Sequence, residues 1–367
     1  MAIHFRSVHI DAFRGLRDME TEALNHVNLI VGDNNCGKTS FLEALQLLSA
    51  PADFVNVLGV SRQREGFSAF YRTPPYECFC DLFAQPSEEP YLKVTADRCG
   101  EPAYCMLRGA WEKVLLDEDD IREAYKWSMA SRRRALPSET MAFVGEIEGG
   151  IGARREGAHV IYHEYSRSGK TSWRGSQMLD IEYLSPVDHV RSSLIARIVS
   201  NDPYKDICLK ILQIFDPKVT DLLILKNEQT GRPAEYIKHA ELGTMPVSTY
   251  GDGIRRVLLL SNAIARTKNG VLLIDEIETA IHAQYYKEIF GFVIMACRQF
   301  DVQLFITTHS QEALDALLDA QNYDSGDSGD VVSVLTLKKT GERTLVRNLP
   351  GREVWHDRDA FDFEARL

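Results

Sequence analysis

The octapeptide Gly32-Asp33-Asn34-Asn35-Cys36-Gly37-Lys38-Thr39 constrains this chain more than any other stretch. It fits G-x-x-x-x-G-K-[ST], a loop that cradles phosphate groups. Val27-Asn28-Leu29-Ile30-Val31 before it is a short apolar run that reads as a buried strand. Ser40 to Leu48 after it has apolar residues at helical spacing. Strand, glycine loop and helix are what the pattern requires, because backbone N–H groups and the positive helix end must face a polyphosphate. On this reading Gly32, Asn34, Asn35, Cys36, Gly37 and Ser40 build the cradle. Lys38 reaches the β- and γ-phosphates, and the Thr39 hydroxyl binds Mg²⁺. A chance match in a Gly/Asn turn is the bland alternative, and both flanks argue against it.

A second element completes the chemistry. Val271-Leu272-Leu273-Ile274-Asp275-Glu276 is an apolar strand ending in two carboxylates, a Walker B pattern. Asp275 would hold the Mg²⁺ shell and Glu276 would orient the attacking water. Val302 to Ser310 is a further strand, ending in His309. Taken alone, a strand-ending histidine is usually structural. Ser248-Thr249-Tyr250-Gly251-Asp252-Gly253 opens an apolar helix shortly before Asp275. Alone, it too would be an ordinary turn.

Composition excludes several classes. No run of about 18 apolar residues exists, so no membrane span is expected. The N-terminus has no long apolar h-region, so a cytoplasmic location is expected. A net charge of −11 argues against binding nucleic acid over the whole surface. Arg132-Arg133-Arg134 with Arg154, Arg155, Arg167, Lys170 and Arg174 make the middle locally positive. Contact with a DNA backbone is one reading of that patch, and a solvated face is the other. Seven cysteines without framework spacing read as reduced thiols. Cys78, Cys80, Cys99 and Cys105 lack the common C-x-x-C form of a zinc site, and ordinary semi-buried thiols are the alternative. Cys36 reads as a small residue tolerated in the loop rather than a redox sensor; since helix N-termini favour thiolate, its oxidation could still block nucleotide.

The long interval between Lys38 and Asp275, with Tyr250-Gly251-Asp252-Gly253 and His309 in this order, resembles the ABC-type ATPase heads of the SMC and RecF group. Phe13-Arg14-Gly15-Leu16 and the exit Thr39-Ser40-Phe41-Leu42-Glu43-Ala44 also resemble RecF and OLD-family ATPases. The nearest likeness is to small ATPases grouped with OLD proteins and with the ATPase subunits of the Septu and PARIS antiphage systems. The resemblance implies that Arg14 and the signature residues Gly251, Asp252 and Gly253 contact nucleotide, the latter across a dimer. It implies that His309 senses the γ-phosphate. The chain departs from the pattern at Gly251, where the usual signature serine is absent. No Q-loop glutamine can be named; Leu184-Ser185-Pro186-Val187-Asp188 stands in that place. Glu278-Thr279-Ala280-Ile281-His282 stands at the D-loop, where His282 is either a dimer contact or a helix-start residue.

The expected fold is α/β: an ABC-type P-loop ATPase head with a mixed central sheet, an antiparallel β subdomain and a helical lobe. Residues 1–367 form one head, with 1–186 carrying the P-loop and antiparallel subdomain, 187–250 the helical lobe, and 251–367 the signature, Walker B and histidine. The expected partners are ATP with Mg²⁺, a second copy in a homodimer or higher oligomer, and a separate effector protein, a nuclease or toxin. The segment after His309 is too short for a nuclease domain of the usual ~100–150 residues, so none is expected in cis. A RecF-like DNA clamp and a non-hydrolysing scaffold are the alternatives.

Local expectations follow from periodicity. Tyr91–Ala96 and Ala103–Leu107 should form a hairpin about Gly100-Glu101-Pro102. Met178–Leu184 should be a strand. Val187–Phe215 should be helical, with Leu194, Ile198, Ile207, Ile211 and Ile214 as its apolar stripe. Asp117–Ala135 should be a charged helix, and Asp324–Asp330 a surface loop.

Overall fold

The computed structural model describes residues 3–65, 73–83, 89–118, 120, 138–166, 170–171, 175–190, 193–226, 231–321, 330–341 and 343–357. Most of the expected helix 117–135, the arginine run 132–134, Arg167, Arg174 and most of the loop 324–330 lie outside the described residues, as does the Lys170 side chain.

A six-stranded central sheet organises the chain. In spatial order it holds Arg343–Pro350 (β16), Val332–Thr340 (β15), Val27–Gly32 (β3), Gln303–Thr307 (β14), Val271–Ile274 (β13) and Ile181–Leu184 (β9). β15, β3, β14, β13 and β9 run parallel, while β16 pairs antiparallel at the edge. The sheet is therefore mixed, as expected. Its strands alternate between two cores. Leu29, Leu272, Ile274, Leu304 and Val334 face one cluster with the helices Asp202–Phe215, Asp252–Arg266 and Tyr286–Phe300. Ile30, Leu273, Phe305 and Leu335 face the other, with the P-loop helix Lys38–Gln46. Burial on both faces is why these strands read as continuous apolar runs.

The second core also receives a seven-stranded antiparallel sheet. Its order is Leu16–Thr21 (β2), Ser7–Phe13 (β1), Tyr91–Arg98 (β4), Glu101–Leu115 (β5), Glu139–Ile151 (β6), Arg154–His163 (β7) and Lys170–Thr171 (β8). β4 and β5 form the expected hairpin. Its turn is Cys99-Gly100, with φ of 54° and 91°, rather than Gly100–Pro102. Two positive φ values match the primed turns that follow strand twist. The helices Phe54–Ser61 and Pro75–Cys80 add Phe54 and Phe79 to an aromatic cluster with Phe83, Phe143 and Tyr162.

Two expectations are corrected. The segment 187–215 is not one helix. It splits into a 3₁₀ turn Asp188–Val190 and helices Ala196–Val199 and Asp202–Phe215. Pro203 has no N–H to bond back into a preceding turn and is tolerated only in a helix's first turn, and Asn201 starts that new helix at Asp202 by accepting from the Tyr204 N–H (3.3 Å). The buried stripe is Tyr204, Cys208 and Leu212; Ile207 and Ile211 are half-buried and Ile214 is exposed. The strand 178–184 shrinks to Ile181–Leu184, because its parallel partner β13 offers four residues for pairing. A three-stranded sheet, Val219–Lys226 (β10), Pro233–His239 (β11) and Gly243–Pro246 (β12), completes the helical side.

Candidate nucleotide site

The carboxyl ends of β3, β13 and β14 meet at one place. β3 leaves the sheet at Gly32, where φ is 137° and a Cβ would lie 2.3 Å from the Leu337 carbonyl oxygen. Gly37 has φ of 105°, and a Cβ there would sit 2.5 Å from Leu16 Cδ2. Both positions favour glycine, so the loop's shape is set by sterics. Lys38 Nζ donates to the Gly32 (2.7 Å) and Asp33 (2.9 Å) carbonyls at the mouth of the loop. A cavity of about 370 Å³ opens beside it, lined by Gly32, Asp33, Asn34, Thr308 and His309 among others. The Cys36 thiol is buried, and burial raises its pKa despite the Lys38 charge; this opposes the thiolate but agrees with a tolerated small residue. Desolvation here outweighs the helix end.

Asp275 is the hub. Its carboxylate is buried and accepts from Thr39 Oγ1 at 3.0 and 3.2 Å, from Thr307 Oγ1 at 2.5 Å and from the Tyr183 hydroxyl at 3.0 Å. Burial, followed by the Asp275 charge, pushes the Tyr183 phenol well above its ordinary value, so it stays a donor. Thr39 and Asp275 thus present hard oxygen donors side by side, the donor type that Mg²⁺ takes. They are the residues that would hold it. Bound there, the ion would neutralise charge on phosphate oxygens.

Glu276 follows at φ 47°, a left-handed backbone uncommon outside glycine. Three backbone bonds hold it. Its N–H donates to Thr307 Oγ1 (2.9 Å), and its carbonyl accepts from Arg256 Nη2 (3.1 Å) and from the Thr279 N–H (3.1 Å). The turn aims the Glu276 carboxylate out of the sheet, where it is half-exposed and 3.8 Å from His309 Nδ1. His309 lies nearer to Glu278: its Nδ1 and its backbone N–H are each 3.0 Å from Glu278 Oε1.

Arg256 is fully buried, in the helix that begins at the Tyr-Gly-Asp-Gly segment. Its guanidinium donates to the carbonyls of Ser185 (2.8 Å), Asp275 (3.2 Å) and Glu276 (3.1 Å). Burial lowers its pKa to about 10, and the carboxylates of Asp188, Glu278, Asp275 and Glu276 oppose that shift. One side chain therefore ties the signature helix, the strand end of β9 and the Walker B turn together. Ser185 enters through its carbonyl, and its N–H is held by Asp188 Oδ2 at 2.7 Å.

The remaining expected residues are placed as follows. Gly251 is the extended N-cap of helix Asp252–Arg266, with open space where a Cβ would stand. Asp252 is bonded to Arg255 (3.2 Å) and lies 3.9 Å from His189. Gly253 packs under the Ala280 carbonyl. Within one chain these three connect to the P-loop region through Arg256. Asn35 has φ of 65° inside the loop. Ser40 Oγ accepts from Arg64 (2.8 Å). Arg14 turns to Glu43 (2.8 Å) and to the Ser61 carbonyl (3.4 Å). Glu43 is fully buried and shared with Arg64 at 2.6 Å. His282 caps the 3₁₀ turn Ala283–Tyr285, accepting from the Gln284 N–H at 3.4 Å. Arg154 is paired with Glu156 at 2.9 Å. No metal-holding cluster of three His, Cys, Asp or Glu occurs among the described residues, at Cys78, Cys80, Cys99 and Cys105 or elsewhere.

Sequence reasoning missed Tyr183, Thr307, the Glu43–Arg64 pair and the reach of Arg256. The Thr307-Thr308 pair just before His309 was a usable signal, since strand ends facing phosphate favour hydroxyls. Tyr183 carried none, being brought to Asp275 only by the parallel pairing of β9 with β13.

Among the described residues, no helix is long and apolar enough to cross a membrane. An "ATP/GTP phosphatase" of Helicobacter pylori is 26% identical over 332 residues, spanning 85% of this chain and 87% of that protein. An uncharacterized protein of Methanocaldococcus jannaschii is 37% identical over 89 residues; the match spans 24% of this chain and 39% of that relative's length. The SMC head bound to the C-winged helix domain of ScpA aligns with a TM-score of 0.48 and 11% identity, over 96% of this chain and 100% of that one. The SMC head domain of Thermotoga maritima gives 0.46 and 10%, over 95% and 99%. A family model described as "AAA ATPase domain" matches residues 1–96, which carry the P-loop. Another, described as "AAA domain, putative AbiEii toxin, Type IV TA system", matches residues 106–315, which carry Arg256, Asp275, Glu276 and His309. That match runs over more than half of the chain, and the chain belongs to this family of AAA ATPase domains.

Proposed function

We propose that this protein binds ATP with Mg²⁺, hydrolyses it slowly, and uses the cycle to close two copies on each other. The observation that carries this reading is the Thr39–Asp275 contact at 3.0 Å with Glu276 and His309 beside it. It joins P-loop, Walker B and histidine in one site, across a long interval of sequence. Lys38 and the loop N–H groups from Gly32 to Ser40 hold the phosphates. Thr39 and Asp275 hold the ion, and Glu276 orients water for attack on the γ-phosphate. Lys38 contributes electrostatic stabilisation as charge shifts to the leaving oxygen. Gly251, Asp252 and Gly253 of a second copy close the γ-phosphate side, where a helix N-terminus favours an anion. In this reading the chain is a single head, with 187–250 as its helical lobe.

The ATPase acts on a separate effector, a nuclease or toxin, in antiphage defence. The resemblance to the Septu and PARIS ATPase subunits supports this setting. The test pairs turnover with assembly. Wild type should release phosphate from ATP–Mg²⁺. Glu276→Gln should lose about 10²–10³-fold in kcat and accumulate an ATP-bound dimer in light scattering. Normal turnover in Glu276→Gln would remove Glu276 from its role. Steeply salt-dependent DNA affinity in ATP would favour a repair clamp instead.

A further inference from the structure

We propose that Glu278 is the positioning residue for His309: it accepts the Nδ1 proton and so turns the other ring nitrogen toward the cavity beside the P-loop. The inference deepens the ATPase reading and depends on that reading only for its kinetic consequence.

Three observations place the pair. Glu278 is only 8% exposed, although it lies in a turn that leaves the sheet. Its Oε1 is 3.0 Å from both the backbone N–H and Nδ1 of His309. Its Oε2 is buried with no hydrogen-bond partner among the described residues. A buried, half-satisfied carboxylate is costly unless it serves a purpose. Here the two contacts from one oxygen fix the main chain and the ring of a single residue at once.

Glu276 Oε1 also faces Nδ1, but at 3.8 Å. Of the two carboxylates, Glu278 is the nearer to Nδ1, in an ion-pair contact at 3.0 Å, and its Oε1 is already hydrogen-bonded to the His309 N–H. On this proposal Glu278 takes the Nδ1 proton, and two things follow. Glu276 is left free of the imidazole and available to water. His309 is left with Nε2 for a ligand in the cavity of about 370 Å³ that it lines with Gly32, Asp33 and Asn34. A histidine whose one nitrogen is held by a carboxylate presents the other in a fixed tautomer and direction. Ser310 supports the same placement from the other side. It caps the next helix, accepting from the Ala313 N–H at 3.2 Å, so the backbone around His309 is pinned on both flanks.

The test uses the full chain and two readouts. Nitrogen-15 spectra of histidine-labelled protein at alkaline pH, with His309→Ala used for assignment, report the tautomer. Wild type should show the Nδ1–H form. Glu278→Ala should lose that preference, and Glu278→Gln, which keeps a carbonyl acceptor and the side-chain volume, should restore most of it. In ATP turnover, Glu278→Ala should lower kcat about tenfold with little change in KM. Glu278→Gln should recover most of that loss. In a His309→Ala background, the Glu278→Ala change should add at most about a further twofold loss, as expected for residues acting as one unit. An Nε2–H tautomer in wild type would overturn the proposal. So would a tautomer indifferent to Glu278→Ala, or a full tenfold loss added in the His309→Ala background. A tautomer set by Glu278 in a protein that does not hydrolyse ATP would uphold the placement and overturn the ATPase reading alone.

Discussion

The central sheet and the antiparallel sheet share one core but differ in how they are built. β3, β13 and β14 are buried along nearly their whole length, and each ends in groups that converge: Gly32, Asp275 and the Thr307–His309 run. β1 and β4 bury every second residue, with His9, Asp11, Lys93 and Thr95 among those outside. Their inner face supports an aromatic cluster in which Phe79 touches Phe54, Phe83, Phe143 and Tyr162 at centroid distances of 5.1–5.5 Å. Parallel strands point their carboxyl ends the same way, so a sheet of them gathers chemistry at one edge. Antiparallel strands scatter their ends over both edges. The comparison teaches that one sheet is organised for a site and the other for a support.

That division can be broken by mutation. Phe79→Ala, in the support, should cost about 3–5 kcal/mol of stability in denaturant unfolding while leaving ATP affinity unchanged once the protein is folded. A large loss of affinity would mean the two sheets are not separable. Lys38→Ala, in the site, should weaken ATP binding about a hundredfold by calorimetry, the equivalent of roughly 3 kcal/mol of charge-assisted bonds, with little change in melting temperature. Arg256→Met sits between the two. It leaves the Asp275 carbonyl without its Arg256 donor and removes one of two donors from the Ser185 and Glu276 carbonyls, so about 1–3 kcal/mol of stability should go. Turnover should fall at the same time, with nucleotide affinity nearly preserved. Loss of stability without loss of turnover would make Arg256 a core residue only.

The smallest effect concerns the thiols. Burial raises Cys105 and Cys208 to about 12, from an ordinary value of 9. Their folded pKa lies above the unfolded one. The stability linked to them is therefore present below pH about 9 and fades as pH climbs toward about 12. Alkylation of native protein near neutral pH should label exposed Cys99 first and leave Cys105, Cys208 and Cys297 untouched. Rapid labelling of Cys208 would show that the helical lobe opens readily.

Much of the fold was legible because local rules and burial agreed. The β4–β5 hairpin, the P-loop strand and helix, and the apolar strand before Asp275 could each be read from pattern. The error at 187–215 arose where apolar residues at helical spacing outvoted Pro203, which has no N–H to continue a preceding helix and sits in the first turn of a new one capped by Asn201. The raised pKa of Cys36 was not legible, because a helix-end argument ignores burial, which only packing reveals.

The amino-acid order by itself determined which residues can carry phosphate chemistry, because glycine's freedom at Gly32 and Gly37 and the chemistry of Lys38, Thr39, Asp275 and Glu276 are properties of the residues. The tertiary structure alone decided which distant groups serve them. Tyr183 reaches Asp275, Arg256 reaches the Glu276 carbonyl, and Glu278 rather than Glu276 lies closest to His309. Those choices depend on the pairing of β9, β13 and β14 and on differences in distance of less than an ångström, 3.0 against 3.8 Å at His309, and no local pattern encodes either.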